Sequence, residues 1–132
     1  MKALLTNYHQ SPRKVRLVAD LIRGKSVVQA KAALAFLPKK SSPAVEKLLD
    51  SATANARSMG AAVEDLFVKK ITVDKGMVMR RARPFARGRS GTIRKTMSIV
   101  FLELGTVSKA DSKKKSKSAT KPRSRKPLAT SH

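Results

Sequence analysis

Lys75-Gly76-Met77-Val78-Met79-Arg80-Arg81-Ala82-Arg83-Pro84-Phe85-Ala86-Arg87-Gly88-Arg89-Ser90-Gly91-Thr92-Ile93-Arg94-Lys95 decides how this chain is built. No acidic residue occurs between Lys75 and Leu102. Runs rich in β-favouring residues flank the stretch. Leu66-Phe67-Val68 and Ile71-Thr72-Val73 precede it, and Met97-Ser98-Ile99-Val100-Phe101-Leu102 follows. Gly88 and Gly91 mark a turn, so the whole reads as one long β-hairpin. A strand over Leu66–Arg83 far exceeds the usual length of about five or six residues. From Asp74 to Arg83, at about 3.3 Å per residue, the hairpin reaches roughly 30 Å beyond any small body. A free two-stranded ribbon is marginal in water, so a partner is expected to order it. Arginine dominates here, and guanidinium groups suit phosphates and base edges. The expected partner is nucleic acid.

Upstream, three helices are predicted. Ser11-Pro12 is a cap followed by proline at the first helical position, and Gly24 ends the helix near Arg23. Val15, Val18, Ala19 and Ile22 share one face, which Leu17 and Leu21 widen. Arg13, Arg16, Asp20 and Arg23 gather opposite. Asp20 has helical spacing to Arg16 and to Arg23; alternatively the basic face, with Lys14, lies against phosphate. Ser26 to Gln29 is a capping-box pattern for a second helix, with Ala30, Ala33, Leu34 and Leu37 on one face and Pro38 beyond its end. Ser42-Pro43 repeats the cap-plus-proline start. The third helix carries the stripe Val45, Leu48, Leu49, Ala52, Ala56 and Met59, which is core-like, and Gly60 ends it. Ala3–His9 is a candidate third strand. The fold class is α+β: three helices packed on a small antiparallel sheet, with a long extended hairpin arm.

The chain has 132 residues, 30 Lys+Arg against 8 Asp+Glu, a net charge of +22 and no Cys. One domain over residues 1–104, containing the arm over 75–95, is followed by a lysine-rich tail over 105–132 that has almost no large apolar side chains. Such a tail is expected to be disordered. The absence of Cys excludes a disulfide scaffold, a Cys-ligated zinc site and a thiol enzyme. His9 and His132 lie too far apart in sequence to suggest a metal site, and no cofactor is expected. The longest uncharged apolar run, Ala32–Leu37, is far below the roughly 20 residues of a membrane span. So much positive charge calls for a polyanion.

Other chemistries find less support. Gly88-Arg89-Ser90-Gly91-Thr92 lacks the Gly-Lys-Ser/Thr ending of a phosphate-cradling loop, and no helix follows it. No carboxylate pair is identifiable as a dyad. His9 has no evident catalytic partner and reads as a strand or phosphate-contacting residue. Phe36, Phe67 and Phe101 are read as core, whereas Phe85 stands at the arm tip, to stack on a base, wedge into a groove or pack on its own arm.

Ser11-Pro12-Arg13-Lys14-Val15-Arg16-Leu17-Val18-Ala19-Asp20-Leu21-Ile22-Arg23-Gly24-Lys25 resembles the first-helix signature of the bacterial-type large-subunit ribosomal protein twenty-two family. Leu48-Leu49-Asp50-Ser51-Ala52-Thr53-Ala54-Asn55-Ala56 is similar to its third helix. Lys75-Gly76, Met79-Arg80-Arg81, Pro84 and Ala86-Arg87-Gly88-Arg89 are similar to its hairpin and tip. The resemblance implies a structural RNA-binding protein, not an enzyme. It would be ribosome-bound in the cytoplasm, with its hairpin lining the nascent-peptide exit tunnel. Its implied partners are large-subunit ribosomal RNA, neighbouring ribosomal proteins and, transiently, the nascent polypeptide, with no membrane and no small-molecule substrate. Carried over, Arg80, Arg81, Arg83, Arg87 and Arg89 would contact RNA or face the tunnel near its narrow part; Arg13, Lys14, Arg16, Lys75, Arg94 and Lys95 complete the expected RNA-binding set. The tunnel-facing tip is Arg83, Pro84, Phe85, Ala86, Arg87 and Gly88. Met79-Arg80-Arg81 match family positions linked to macrolide sensitivity through tunnel shape. Phe85 departs from the family's frequent basic residue, and Ser90-Gly91-Thr92 from its common Ala-Asp-Arg. The rival readings are a DNA-bending protein with a Pro84-Phe85 wedge and an enzyme acting on RNA, which would need an acid-base or metal cluster.

Overall fold

The computed structural model describes residues 1–106, ordered β1 (Lys2–Tyr8), α1 (Pro12–Ile22), α2 (Val27–Phe36), α3 (Ser42–Ser58), β2 (Leu66–Pro84) and β3 (Ser90–Thr106). A single 3-10 turn, Val63–Asp65, leads into β2. The sheet is antiparallel with order β1-β3-β2, which confirms the α+β class and the third strand. The first strand pairs with the last, Ala3 opposite Leu102 and Leu5 opposite Val100. The Leu104 amide donates to the Met1 carbonyl at 2.8 Å, tying the start of the chain to the end of the sheet. β3 includes Gly105 and Thr106; the rest of the predicted tail lies outside the described residues.

Alternation along the strands separates two sheet faces. Val68, Ile71 and Val73 of β2, Val100, Leu102 and Leu104 of β3, and Ala3 of β1 are buried under the helices. An extra residue at Lys69, between the Val68 and Lys70 pairings, shifts the phase of β2 so that Ile71 points inward beside Val68. The helices contribute the stripes read from sequence: Val15, Val18, Ala19 and Ile22 from α1, and Val45, Leu48, Leu49, Ala52 and Ala56 from α3. α1 packs on β2, whereas α3 packs on β1 and β3. The edge of β2 is covered in the body by the α1–α2 connection. The Gly24 amide donates to the Val68 carbonyl at 3.1 Å, and the Val68 amide to the Lys25 carbonyl at 2.9 Å. Gly24 makes this turn at φ +74°, where a side chain would be strained.

Several expectations need correction. Leu17 is 65% exposed and does not widen the buried stripe, because only its neighbours one turn apart face the sheet. Met59 is 71% exposed at the C-cap of α3, one position beyond the last helical residue, so the helical phase no longer sets its direction. Ser11 occupies the N-cap of α1 but makes no side-chain cap bond. Ser41, not Ser42, is the N-cap of α3; the Ser42 hydroxyl instead donates to the Leu34 carbonyl near the end of α2. Ser26 does cap α2, accepting from the Gln29 amide at 3.4 Å. None of the phenylalanines is fully buried, and Phe36 is 88% exposed, because the one-sided core is filled by aliphatic side chains. Gly91 is not in the turn but pairs with Arg83 within β3.

Candidate nucleic-acid interface

Beyond Val73, no residue of β2 is buried, and in β3 burial begins only at Met97. The strands nevertheless continue as a regular ladder from Val78 opposite Thr96 to Pro84 opposite Ser90. The hairpin is therefore an arm held by backbone hydrogen bonds, with no apolar core of its own. Gly76 and Met77 form an irregularity at its root, between the Lys75 and Val78 pairings. Such a bulge turns a ribbon relative to the sheet it leaves.

Ladder register distributes the cations. Arg80 stands directly opposite Arg94, so two like charges face each other across the strands. Such a pair is destabilising unless an anion lies over it. Met79 with Lys95, Arg81 with Ile93 and Arg83 with Gly91 lie on the alternate face. Both faces of the arm thus carry positive charge. The Arg81 guanidinium folds along its own strand, donating to the Arg80 carbonyl at 3.0 Å. Among the described residues, the ion pairs are Arg23–Asp20, Lys31–Asp50 and Lys69–Glu103, none of them in the arm.

The tip is compact. The Phe85 amide donates to the Arg89 carbonyl at 2.8 Å, and Arg87 and Gly88 turn the chain at φ +60° and +70°. Phe85 lies across Gly91, where a Cβ would overlap its ring edge. The Arg83 guanidinium sits 5.9 Å from the centre of the same ring, within cation–π range. Of the three readings of Phe85, packing on its own arm is the one observed. A wedge would first have to break that packing. Arg87 and Arg89 remain exposed.

The N-terminal candidates separate. Arg13 and Lys14 are exposed in the first turn of α1, which carries no acidic residue. Cations there oppose the positive end of the helix dipole, an arrangement relieved by an anion. Arg16 has a structural engagement: its Nε and one terminal nitrogen donate to the Val73 carbonyl at 3.1 and 3.0 Å. Asp20 pairs with Arg23 at 2.9 Å rather than with Arg16. Lys75 is exposed opposite Ser98 at the arm root.

Sequence reading missed one feature. A cleft of about 340 Å³ lies between the arm root and the start of α1, and Lys14, Lys40 and Lys95 all line it. Lys40 sits in the α2–α3 connection, so only folding brings it there. Tyr8 fixes that wall: its hydroxyl lies 3.0 Å from Gln10 Oε1 and 3.2 Å from the Lys40 carbonyl oxygen. Burial raises the Tyr8 pKa above its ordinary 10.0 and keeps the hydroxyl a donor. Among the described residues, no cluster of three or more His, Cys, Asp or Glu could hold a metal, and no helix is long and apolar enough to cross a membrane.

Comparison with known proteins agrees with the geometry. Residues 3–105 match the family Ribosomal protein L22p/L17e. The large ribosomal subunit protein uL22 of Herpetosiphon aurantiacus is 49% identical over 98 residues, which is 74% of this chain and 87% of that protein. The uL22 of Pelobacter propionicus is 48% identical over 103 residues, covering 77% and 93%. That of a Sulfurihydrogenibium species is 40% identical over 110 residues, covering 83% and 95%. A body with an ordered basic arm, matched over nearly its whole described length, therefore belongs to the Ribosomal protein L22p/L17e family, structural proteins of the large ribosomal subunit rather than enzymes.

Proposed function

We propose that the chain binds large-subunit ribosomal RNA through its arm and the start of α1, supports subunit assembly, and lines the nascent-polypeptide exit tunnel with its hairpin. As a ribosomal protein it resides on the ribosome, in the cytoplasm. The observation that carries the RNA reading is Arg80 opposite Arg94 in an arm without a single acid. The backbone ladder holds the ribbon together, and phosphate on both faces would relieve its self-repulsion. Cations on both faces suit insertion between RNA segments better than lying along one. Counterion release would then provide much of the affinity, and RNA shape, more than base reading, the specificity. At the tip, Arg83, Pro84, Phe85, Ala86, Arg87 and Gly88 form the compact surface that would face the tunnel and meet the nascent chain transiently. The body offers its other surfaces to neighbouring ribosomal proteins.

Arg81→Glu and Arg87→Glu test this reading. Each is expected to weaken binding to large-subunit ribosomal RNA and to slow assembly of the subunit on sucrose gradients. Unchanged assembly in both variants overturns it. A photo-reactive group at Phe85 is expected to crosslink to a stalled nascent chain, and its absence from such adducts overturns the tunnel role.

A further inference from the structure

The cleft at the arm root combines features that the arm lacks. Its rim holds three lysines, Lys14, Lys40 and Lys95, from three separate parts of the chain. None of the three makes an ion pair among the described residues. His9 adds a ring nitrogen, and Ser11 adds a hydroxyl that is not spent on capping α1. Ser11 at the N-cap and Lys14 in the first turn put the start of α1 in the cleft wall. No acidic residue lines the cleft. Three cations lining one cleft, with an unspent hydroxyl at a helix start, suit a phosphate.

The rest of the lining is different in kind. Met79 and Met97 bring two thioethers from opposite strands of the arm root, and Thr96 lies between Lys95 and Met97. Methionine sulfur and methyl groups pack well against flat aromatic rings. At about 340 Å³ the cleft lies in the range of small-molecule sites and exceeds what a phosphate alone needs. Its walls are also fixed in place. The Ser98 hydroxyl donates to the Gln10 carbonyl, tying the segment after β1 to β3. Tyr8 bridges Gln10 and Lys40 from the other side.

We propose that this cleft holds one nucleotide extruded from the bound RNA. Its phosphate sits among Lys14, Lys40, Lys95 and the start of α1, and its base lies against Met79 and Met97. The inference rests on the RNA-binding reading above and adds a discrete pocket to it. Single-stranded loops and bulges of RNA offer such splayed nucleotides.

The test uses the full chain with methyl-labelled methionines, titrated with adenosine 5′-monophosphate, adenosine and inorganic phosphate. The monophosphate is expected to shift the Met79 and Met97 methyl signals saturably, leaving exposed Met59 and Met77 unmoved. Adenosine and inorganic phosphate alone should bind more weakly. Lys14→Gln and Lys40→Gln should each weaken the monophosphate about tenfold, with an unchanged urea-unfolding midpoint reporting an intact fold. Equal shifts at Met59, Met77, Met79 and Met97, no saturation, or equal binding of inorganic phosphate overturn the proposal. Because the chain has no Cys, Thr96→Cys, in the cleft wall but outside the phosphate and base contacts, accepts a short-range photo-crosslinker before reconstitution into subunits. A dominant adduct at one RNA position is expected; no RNA adduct would overturn RNA as the source of the nucleotide. If Arg81→Glu and Arg87→Glu impair assembly while the cleft fails these tests, the RNA-binding reading survives and the pocket does not.

Discussion

Phe85 occupies the space that a side chain at Gly91 would need, so the tip residue and the opposite strand are locked by the absence of one methyl group. The glycine is required by this close approach and not by a turn, since Gly91 sits within the ladder opposite Arg83. Gly91→Ala is expected to lift the Phe85 ring and loosen the tip. Trypsin should then cut faster at Arg87 and Arg89, which are exposed in the same turn. The unfolding midpoint of the body should stay within about 0.5 kcal/mol of the parent, because the arm contributes nothing to the core. A tip that remains equally resistant to trypsin would contradict the lock.

Arg16 joins α1 to β2 through two donations to the Val73 carbonyl. Arg16→Ala should therefore destabilise the body by about 1–2 kcal/mol in urea unfolding, the range for hydrogen bonds to a charged group at a partly exposed site. Arg13→Ala, whose exposed side chain has no such engagement, should leave the midpoint nearly unchanged. Equal effects of the two would refute a structural role for Arg16.

Leu102 is fully buried in the body segment of the middle strand, whereas Leu17 stands exposed on α1. Leu102→Ala should cost about 2–5 kcal/mol through lost burial and a residual cavity. Leu17→Ala should cost no more than about 0.5 kcal/mol. The contrast is measurable by thermal or chemical unfolding of the two variants side by side.

Burial raises the Tyr8 pKa above 10.0, so the folded state favours the protonated phenol. Its contribution to stability is complete below that ordinary value and is lost as pH rises through the raised folded-state value. The stability difference between the parent and Tyr8→Phe should be constant from pH 7 to 9 and should shrink at higher pH. A difference independent of pH up to full phenol ionisation would refute the linkage.

The helices, their buried faces and the long arm were legible in the sequence because each is written in neighbouring residues. Val15, Val18, Ala19 and Ile22 recur at helical spacing, Ser26 caps Gln29 three residues on, and an acid-free arginine run announces an uncored ribbon. Leu17 and Met59 show where periodicity alone overreaches: it gives the angle around a helix but neither how wide the covered stripe is nor where the helix ends. Only tertiary structure decided that β1 pairs with β3, that Arg16 reaches Val73 rather than Asp20, that Phe85 covers Gly91, and that Lys14, Lys40 and Lys95 meet in one cleft. The physical reason is common to all four. Each depends on which distant backbone or side-chain group stands opposite once the core has closed, and local propensity carries no information about a partner set by packing.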